Sequence, residues 1–359
     1  MSDLSQTPSA STAADAPAGG VSLPTRNFRG TQVTEVGLGC WQLGGGEGSG
    51  DFGPMSDDDA AAILKAAYES GVRFFDTAEV YGSGRSESRI GNFLGSLVNT
   101  ARREIRVVTK LARNHAEGDV YKNVREATEA SLGRLGLPEL LATQLHCWSN
   151  PSKEAFEAVL RLKEDGLIRH AAASVESVAE GMEAIDHGME SLQIIFSAFR
   201  QRPLVEGLLD RAEKENVAIL VRLPLASGLL AGAFGKGGKY QSHADLPEGD
   251  HRRSNKDGEH FNVGETLAGL TLEDGIAAAD KALPILKSAA PEGTPVAQAS
   301  LRWCLDHPAV TAVIPGATSP KQAKSNAAAA KLAPLGDHAH AKLREVWQND
   351  VDPKVRGKQ

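Results

Sequence analysis

The fold class that the sequence predicts is a closed (β/α)8 barrel (TIM barrel) with a short N-terminal hairpin, a long active-site loop and extra helices. Three observations carry the prediction: eight short apolar runs recur along the 359 residues, helical patterns separate them, and no GxGxxG follows an early run. The runs are VGLGC (36–40), VRFFDTA (72–78), IRVVTKL (105–111), LATQLHCW (141–148), IRHAAAS (168–174), LQIIFSA (192–198), VAILVRL (217–223) and VTAVIPG (310–316). Between them, SDDDAAAILKAAYESG, YKNVREATEASLGRLG, PSKEAFEAVLRLKEDG and PLVEGLLDRAEKEN space apolar residues three and four apart and end on Gly or Asn, as helices do. Alternation of strand and helix implies parallel strands joined by crossover helices.

The remaining segments find places around that barrel. NFRGTQVTEVGLG reads as a hairpin closing its bottom. Residues 232–264 are polar and rich in Gly and Asp, and so long a connection inside a compact domain reads as an active-site flap. The helical segments TLEDGIAAADKALPILKSAA and TPVAQASLRWCLDHP complete the last crossover. Residues 1–20, rich in Ala, Ser, Pro and Gly, are expected to be a disordered tail, and residues 21–359 a single barrel domain.

Composition narrows the function class. The net charge of −7 comes with no basic stripe, which argues against a nucleic-acid partner. Cys40, Cys147 and Cys304 lie in separate apolar runs without CxxC or Cys/His spacing, so neither a disulfide framework nor a metal site is expected. The start lacks a secretory pattern and no stretch offers the roughly 20 apolar residues of a membrane span. The expectation is a cytoplasmic enzyme acting on a small molecule, with no membrane partner; nothing in the sequence marks an oligomer interface.

In a barrel, residues at the C-terminal ends of the strands share one mouth. Asp76 ends the second run, Lys110 the third and His146 the fourth, and Tyr81 follows in the loop after Asp76. Singly, each has a bland explanation, a snorkelling lysine or a core histidine. Together, at equivalent positions of successive strands, they read as a catalytic set. A phenol with an ordinary pKa of about 10 holds a proton at neutral pH and can give it to a developing alkoxide. Lys110 is the ammonium expected to lower that pKa, Asp76 the carboxylate that keeps Lys110 charged, and His146 a neutral donor to a carbonyl oxygen. This set suits carbonyl reduction if a hydride source is present. The residues also permit a different chemistry, Lys110 as the Schiff-base nucleophile of an aldolase or lyase.

The combination FFDTAEVYGSGRSE, VVTK, QLH and VIPGATSPKQAKSN resembles the aldo-keto reductase superfamily from about residue 25 to about residue 345. The resemblance implies a (β/α)8 barrel reducing aldehydes or ketones with NADPH, or in some members NADH, and a catalytic tetrad of Asp76, Tyr81, Lys110 and His146. It also implies cofactor contacts. Gly39, Cys40 and Trp41 match the family's Gly-x-Trp at the nicotinamide end; Ser174 and Gln193 match its carboxamide pair, and Phe196 the aromatic ring beside the nicotinamide. Leu225, Ser227 and Leu229 fall in the pyrophosphate loop. Gly316, Thr318, Ser319, Lys321, Gln322 and Asn326 fall in the adenosine clamp, with Lys321 the candidate partner of a 2′-phosphate. Three positions depart from the family: Val175 and Ser197 replace its usual Asn residues, and Leu223, preceded by Arg222, replaces its usual Ser. For the substrate pocket, Trp41, Trp148 and Phe199 are expected to supply an apolar wall, while Arg200, Arg202, Arg252 and Arg253 offer either a cation for an acidic substrate or structural ion pairs. Since the superfamily also contains accessory subunits of ion channels, a nicotinamide-sensing subunit with little turnover is the other alternative.

Overall fold

The computed structural model describes residues 21–46, 53–148 and 151–359; the expected tail, residues 1–20, lies outside them. The chain opens with an antiparallel hairpin of β1 (Thr25–Phe28) and β2 (Thr31–Thr34). Its two-residue turn has positive φ at Arg29 (49°) and Gly30 (95°), the mirror-image turn whose twist suits a hairpin. Asn27 accepts from Gly30 N at 2.7 Å.

Eight parallel strands then follow in chain order around the sheet: β3 (Leu38–Gly39), β4 (Phe74–Asp76), β5 (Arg106–Leu111), β6 (Leu140–His146), β7 (Ile168–Ser174), β8 (Ser191–Ile195), β9 (Ala218–Arg222) and β10 (Val310–Val313). Each falls within or overlaps one predicted run. Parallel bridges from Val36 to Val313 and from Gly39 to Gly316 close the sheet into a barrel. Closure needs glycine at 39, because a Cβ there would lie 2.5 Å from the Ile314 carbonyl oxygen.

Helices lie between the strands and after the last of them: α1 (Asp57–Glu69), α2 (Arg85–Ser96), α3 (Asn99–Glu104), α4 (Val120–Leu135), α5 (Lys153–Glu164), α6 (Val178–Asp186), α7 (Arg202–Val205), α8 (Leu208–Lys214), α9 (His251–Ser254), α10 (Leu272–Ala289), α11 (Val296–Leu305), α12 (Pro320–Ala328) and α13 (Asp337–Val346). Ser56, Ser152, Thr271 and Ser319 cap α1, α5, α10 and α12 by accepting from the backbone three residues on. The segment PLVEGLLDRAEKEN is not the single helix its periodicity predicts. Gly207, at φ 82°, divides it into α7 and α8. Among the described residues no helix is long and apolar enough to cross a membrane.

Period-two alternation sorts the side chains. Phe75 faces outward, its ring 6.3 Å from Phe93 on α2, while Phe74 faces the interior with Val108, Ala142, Ala172, Leu220 and Ala312. Phe28 of the hairpin fills the lower end, with ring centroids 6.5 Å from Phe74 and 5.3 Å from His170. Two residues further along the strands, the same inward alternation presents Asp76, Lys110, Gln144, Ser174 and Arg222 at the C-terminal end. The long connection after β9 is folded: Asn255 bonds Thr266 Oγ1 at 3.0 Å and accepts from His260 N and Phe261 N.

Candidate active site

The loop after β4 is held in place by its own polar residues. Gly82 has φ 62°, and a Cβ on it would collide with the Gly44 carbonyl, so only glycine lets the Tyr81 turn pack against that backbone. Ser86 donates to Cys40 O at 2.8 Å and accepts from Thr77, and Arg85 donates to Gly44 O at 2.8 Å. Glu87, wholly buried, accepts from Thr109 at 2.6 Å and from Arg134 at 2.6 Å. The run GRSE thus locks the loop to its neighbours, a role the sequence analysis left unassigned.

At the centre, Lys110 Nζ lies 2.6 Å from Asp76 Oδ1 and donates to Thr77 O at 2.9 Å and to the Tyr81 hydroxyl at 3.1 Å. Lys110 is 1% exposed. Burial alone would discharge it, but Asp76 and Tyr81 outweigh burial and hold its pKa above the ordinary value. The other carboxylate oxygen of Asp76 accepts from Gln193 Nε2 at 2.7 Å and from Gln144 Nε2 at 3.4 Å. The Tyr81 ring stands edge-on to His146, 5.8 Å away, and stacks on Trp41 at 6.1 Å. Burial, with Lys110, Arg222 and Arg113 nearby, pushes the His146 pKa well down, so its imidazole is neutral at neutral pH. The Tyr81 phenol differs from expectation. Burial pushes it up to about 12, and Lys110 pulls downward without reversing that.

Two adjoining cavities meet at this set. The inner one is lined by Gly39, Trp41, Gln42, Asp76, Tyr81, His146, Gln193, Arg222, Glu265 and Gly316 among others. The outer cleft, about 980 Å³, has Trp41, Val80 and Phe261 on its apolar side and Arg113, Glu176, Asn262, Glu265 and Lys358 as polar lining. Thus the segment 232–264 does reach the mouth, through His260, Phe261 and Asn262; His251 packs on Trp41 at 4.7 Å.

The remaining predicted residues divide. The Cys40 thiol is buried, so it is the backbone that sits beside Asp76, with Cys40 N donating to Asp76 O at 2.8 Å. Ser174 is buried with its Oγ 3.6 Å from Cys147 Sγ. Ser227 (φ 55°) and Gly228 (φ 106°) form a sharp turn in which Ser227 donates to Glu265 O and accepts from Leu267 N; Leu225 is half-buried. Leu229 instead packs against α10 at Gly275. At the start of α12, Gln322 accepts from Thr318, Ser319 caps the helix, Asn326 donates to Gly316 O at 3.1 Å, and Lys321 is exposed.

Three aromatic positions lie elsewhere than the mouth. Phe196 is fully buried against Trp303 and His307 of the α11 region, at 5.1 and 5.0 Å. Phe199 is buried in the same outer core, and Trp148 turns outward, its Nε1 donating to Leu111 O at 2.9 Å. Each sits just past a strand end, where the chain has left the inward face. Three arginines weighed as substrate cations are in structural contacts. Arg200 donates to Gly264 O and Lys358 O, Arg202 pairs with Asp352 at 2.8 Å, and Arg252 makes a bidentate pair with Asp250. Arg253 is exposed.

Gln42, Arg113, Glu176, Glu265, Phe261 and Lys358 also line the two cavities, at positions that no sequence motif marks. Arg222, next to the departure at Leu223, lines the inner cavity as well. A lone charge inside the apolar run VAILVRL was its available signal. Cys147, Glu176 and Glu265 lie within 4.8 Å of one another, but Arg222 and Lys358 already sit on the two carboxylates at 2.8 and 2.9 Å, which leaves this no cation site.

Known proteins resemble this chain along most of its length. An aldo-keto reductase of Schizosaccharomyces pombe, whose name carries NADP(+), is 28% identical over 92% of this chain and 93% of its own. An uncharacterized oxidoreductase of Mycobacterium tuberculosis is 33% identical over 84% of this chain and 85% of its own. Among solved structures, the glycerol dehydrogenase of Gluconobacter oxydans superposes with a TM-score of 0.70 at 24% identity, covering 91% of this chain and 96% of that one. The holo aldo-keto reductase of Bacillus halodurans superposes with a TM-score of 0.66 at 24% identity, over 90% and 96% of the two chains. The Aldo/keto reductase family model matches residues 35–348, and the chain belongs to that family.

Proposed function

We propose that the chain reduces an aldehyde or ketone to an alcohol with NADPH, and that Tyr81 supplies the proton. The observation that carries this reading is the position of Lys110 Nζ, 2.6 Å from Asp76 and 3.1 Å from the Tyr81 hydroxyl, at a cavity that His146 shares. The residues present fit the cofactor. Beside Tyr81, the inner cavity has glycine backbone at 39 and 316, and Gln42 offers a buried amide oxygen with no partner among the described residues. At the other end, the N-terminus of α12 with Lys321 suits a phosphate. The NADP(+) in the name of the Schizosaccharomyces pombe relative accords with this choice.

A bound reduced nicotinamide supplies the hydride for the carbonyl carbon. His146, neutral, donates to the carbonyl oxygen and orients it. Tyr81 keeps its proton at neutral pH and releases it to the oxygen as alkoxide character develops, since an alkoxide is more basic even than a phenol raised to about 12. Lys110 stabilises the phenolate that remains, and Asp76 keeps Lys110 charged and fixed. The half-apolar, half-polar outer cleft suits a carbonyl compound with one flat apolar face and polar substituents.

The Schiff-base alternative is disfavoured by the same geometry. Lys110 is buried, engaged by three acceptors and held charged, whereas a nucleophilic amine must be neutral and accessible. The test follows loss of reduced-nicotinamide absorbance with purified protein, NADPH and a nitro-substituted benzaldehyde, beside Tyr81→Phe. Turnover that disappears in the variant is expected; equal turnover in both would overturn the proton assignment.

A further inference from the structure

A largely covered ion pair forms part of the wall of the inner cavity. Arg222 ends β9, Glu265 sits in the turn that follows the flap, and their side chains meet at 2.8 Å while only 11% and 15% exposed. Arg222 Nη2 also donates to Val175 O at 3.3 Å and to Cys147 Sγ at 3.4 Å, and its buried Nε has no acceptor among the described residues. Both residues line the inner cavity together with Tyr81, His146 and Gln193. Burial opposes the charge of Arg222, but the Glu265 carboxylate at 2.8 Å offsets it and the guanidinium stays cationic.

Stability is a poor reason for such a pair. Two desolvated charges roughly break even against apolar residues of the same shape, and here one donor is left unsatisfied as well. Their effect on a ligand, by contrast, is direct. The nicotinamide ring is cationic when oxidised and neutral when reduced, so a charge on the cavity wall acts on one form and scarcely on the other. Among the described residues lining the inner cavity, Asp76 is neutralised by Lys110 and His146 is neutral, which leaves Arg222 and Glu265 as the charges of that wall whose balance the ring would meet.

We propose that the Arg222–Glu265 pair sets the relative affinity of this chain for oxidised and reduced nicotinamide cofactor: Arg222 disfavours the oxidised form and Glu265 offsets it. Arg222 and Glu265 are thus specificity-determining residues for the redox state of the cofactor, a role that rests on the reductase reading above. Removing the carboxylate exposes the guanidinium and weakens NADP+ binding; removing the guanidinium leaves the carboxylate and strengthens it. A unit charge within several ångströms at an effective dielectric of about 20 changes such a ratio by about tenfold or more. For a two-electron couple, tenfold corresponds to about 30 mV in the potential of the bound cofactor.

The experiment is calorimetric titration of the purified full-length protein with NADP+ and, separately, NADPH. It uses wild type, Arg222→Gln, Glu265→Gln, the double variant and the charge-preserving Arg222→Lys. The ratio of the two dissociation constants should move about tenfold toward NADP+ in Arg222→Gln and about tenfold away from it in Glu265→Gln. It should return to the wild-type range in the double variant and stay there in Arg222→Lys. Circular dichroism of each variant verifies that it is folded. An unchanged ratio across all five proteins, with both forms bound, would overturn this proposal and leave the reductase reading standing. Wild-type protein that binds neither form would overturn both.

Discussion

The Thr109 hydroxyl donates to Glu87 at 2.6 Å inside the protein, and this contact ties the helix after the Tyr81 loop to the strand that carries Lys110. Arg134 completes the site from α4 at 2.6 Å. Removing the buried carboxylate leaves the buried Thr109 hydroxyl without its acceptor and the part-exposed Arg134 without its partner, so Glu87→Ala should lower stability by about 2 kcal/mol. Denaturant unfolding of the two proteins measures the difference; a loss below about 0.5 kcal/mol, the size of an ordinary surface effect, would contradict this account.

The pH dependence of reduction follows from the two shifted groups. Tyr81, raised to about 12, stays protonated throughout the neutral range, and His146, pushed well below its ordinary value, stays neutral there. The kcat for carbonyl reduction should therefore be flat from about pH 6 to about pH 9. An acid limb centred near pH 6.5, abolished by substituting His146, would show that the imidazole titrates normally.

His307 predicts an acid sensitivity remote from the mouth. Burial, then the neighbouring His340, depresses its pKa to about 4, while its ring nitrogen bonds Trp303 O at 3.0 Å. The folded-state value lies below the unfolded value of about 6.5, so the unfolded chain takes up the proton first. Its stabilising contribution is complete above about pH 6.5 and declines as pH falls toward 4. His307→Gln should lose roughly 2 kcal/mol less stability than wild type between about pH 7 and about pH 4.5. Equal losses in the two proteins, in urea titrations at both pH values, would exclude His307 as the cause.

Lys321 on the first turn of α12 is exposed and free to meet a 2′-phosphate. Lys321→Ala should weaken NADPH about tenfold and leave NADH nearly unchanged, since one charge-assisted contact to phosphate contributes on the order of 1 to 3 kcal/mol. Fluorescence titration with each cofactor reads the two constants, and parallel changes in both would remove the residue from phosphate recognition.

Strand periodicity is local, and so the barrel was legible. Apolar runs of five to eight residues bounded by helical patterns lead to strands wherever they pack. The positions of Asp76, Lys110 and His146 followed as well, because a polar residue ending an inward-facing alternation has nowhere to point but the mouth. Tyr81 was legible through its loop, although its raised pKa was not; that depends on how much of the ring is covered once Trp41 and His146 have closed around it.

By itself, then, the sequence determined the alternation of strand and helix, the hairpin turn at Arg29 and Gly30, and the residue types at the strand ends, since each depends on neighbours within a few positions. The tertiary structure alone decided that Phe196, Phe199 and Trp148 face the helical layer, that Arg200 and Arg252 brace the flap, and that Glu265 meets Arg222. Residues just beyond a strand no longer obey its inward alternation, and an ion pair between residues 222 and 265 depends on how a long connection folds back. Only the closed chain, which brings distant positions within hydrogen-bond reach and excludes water from them, settles which charges are partners.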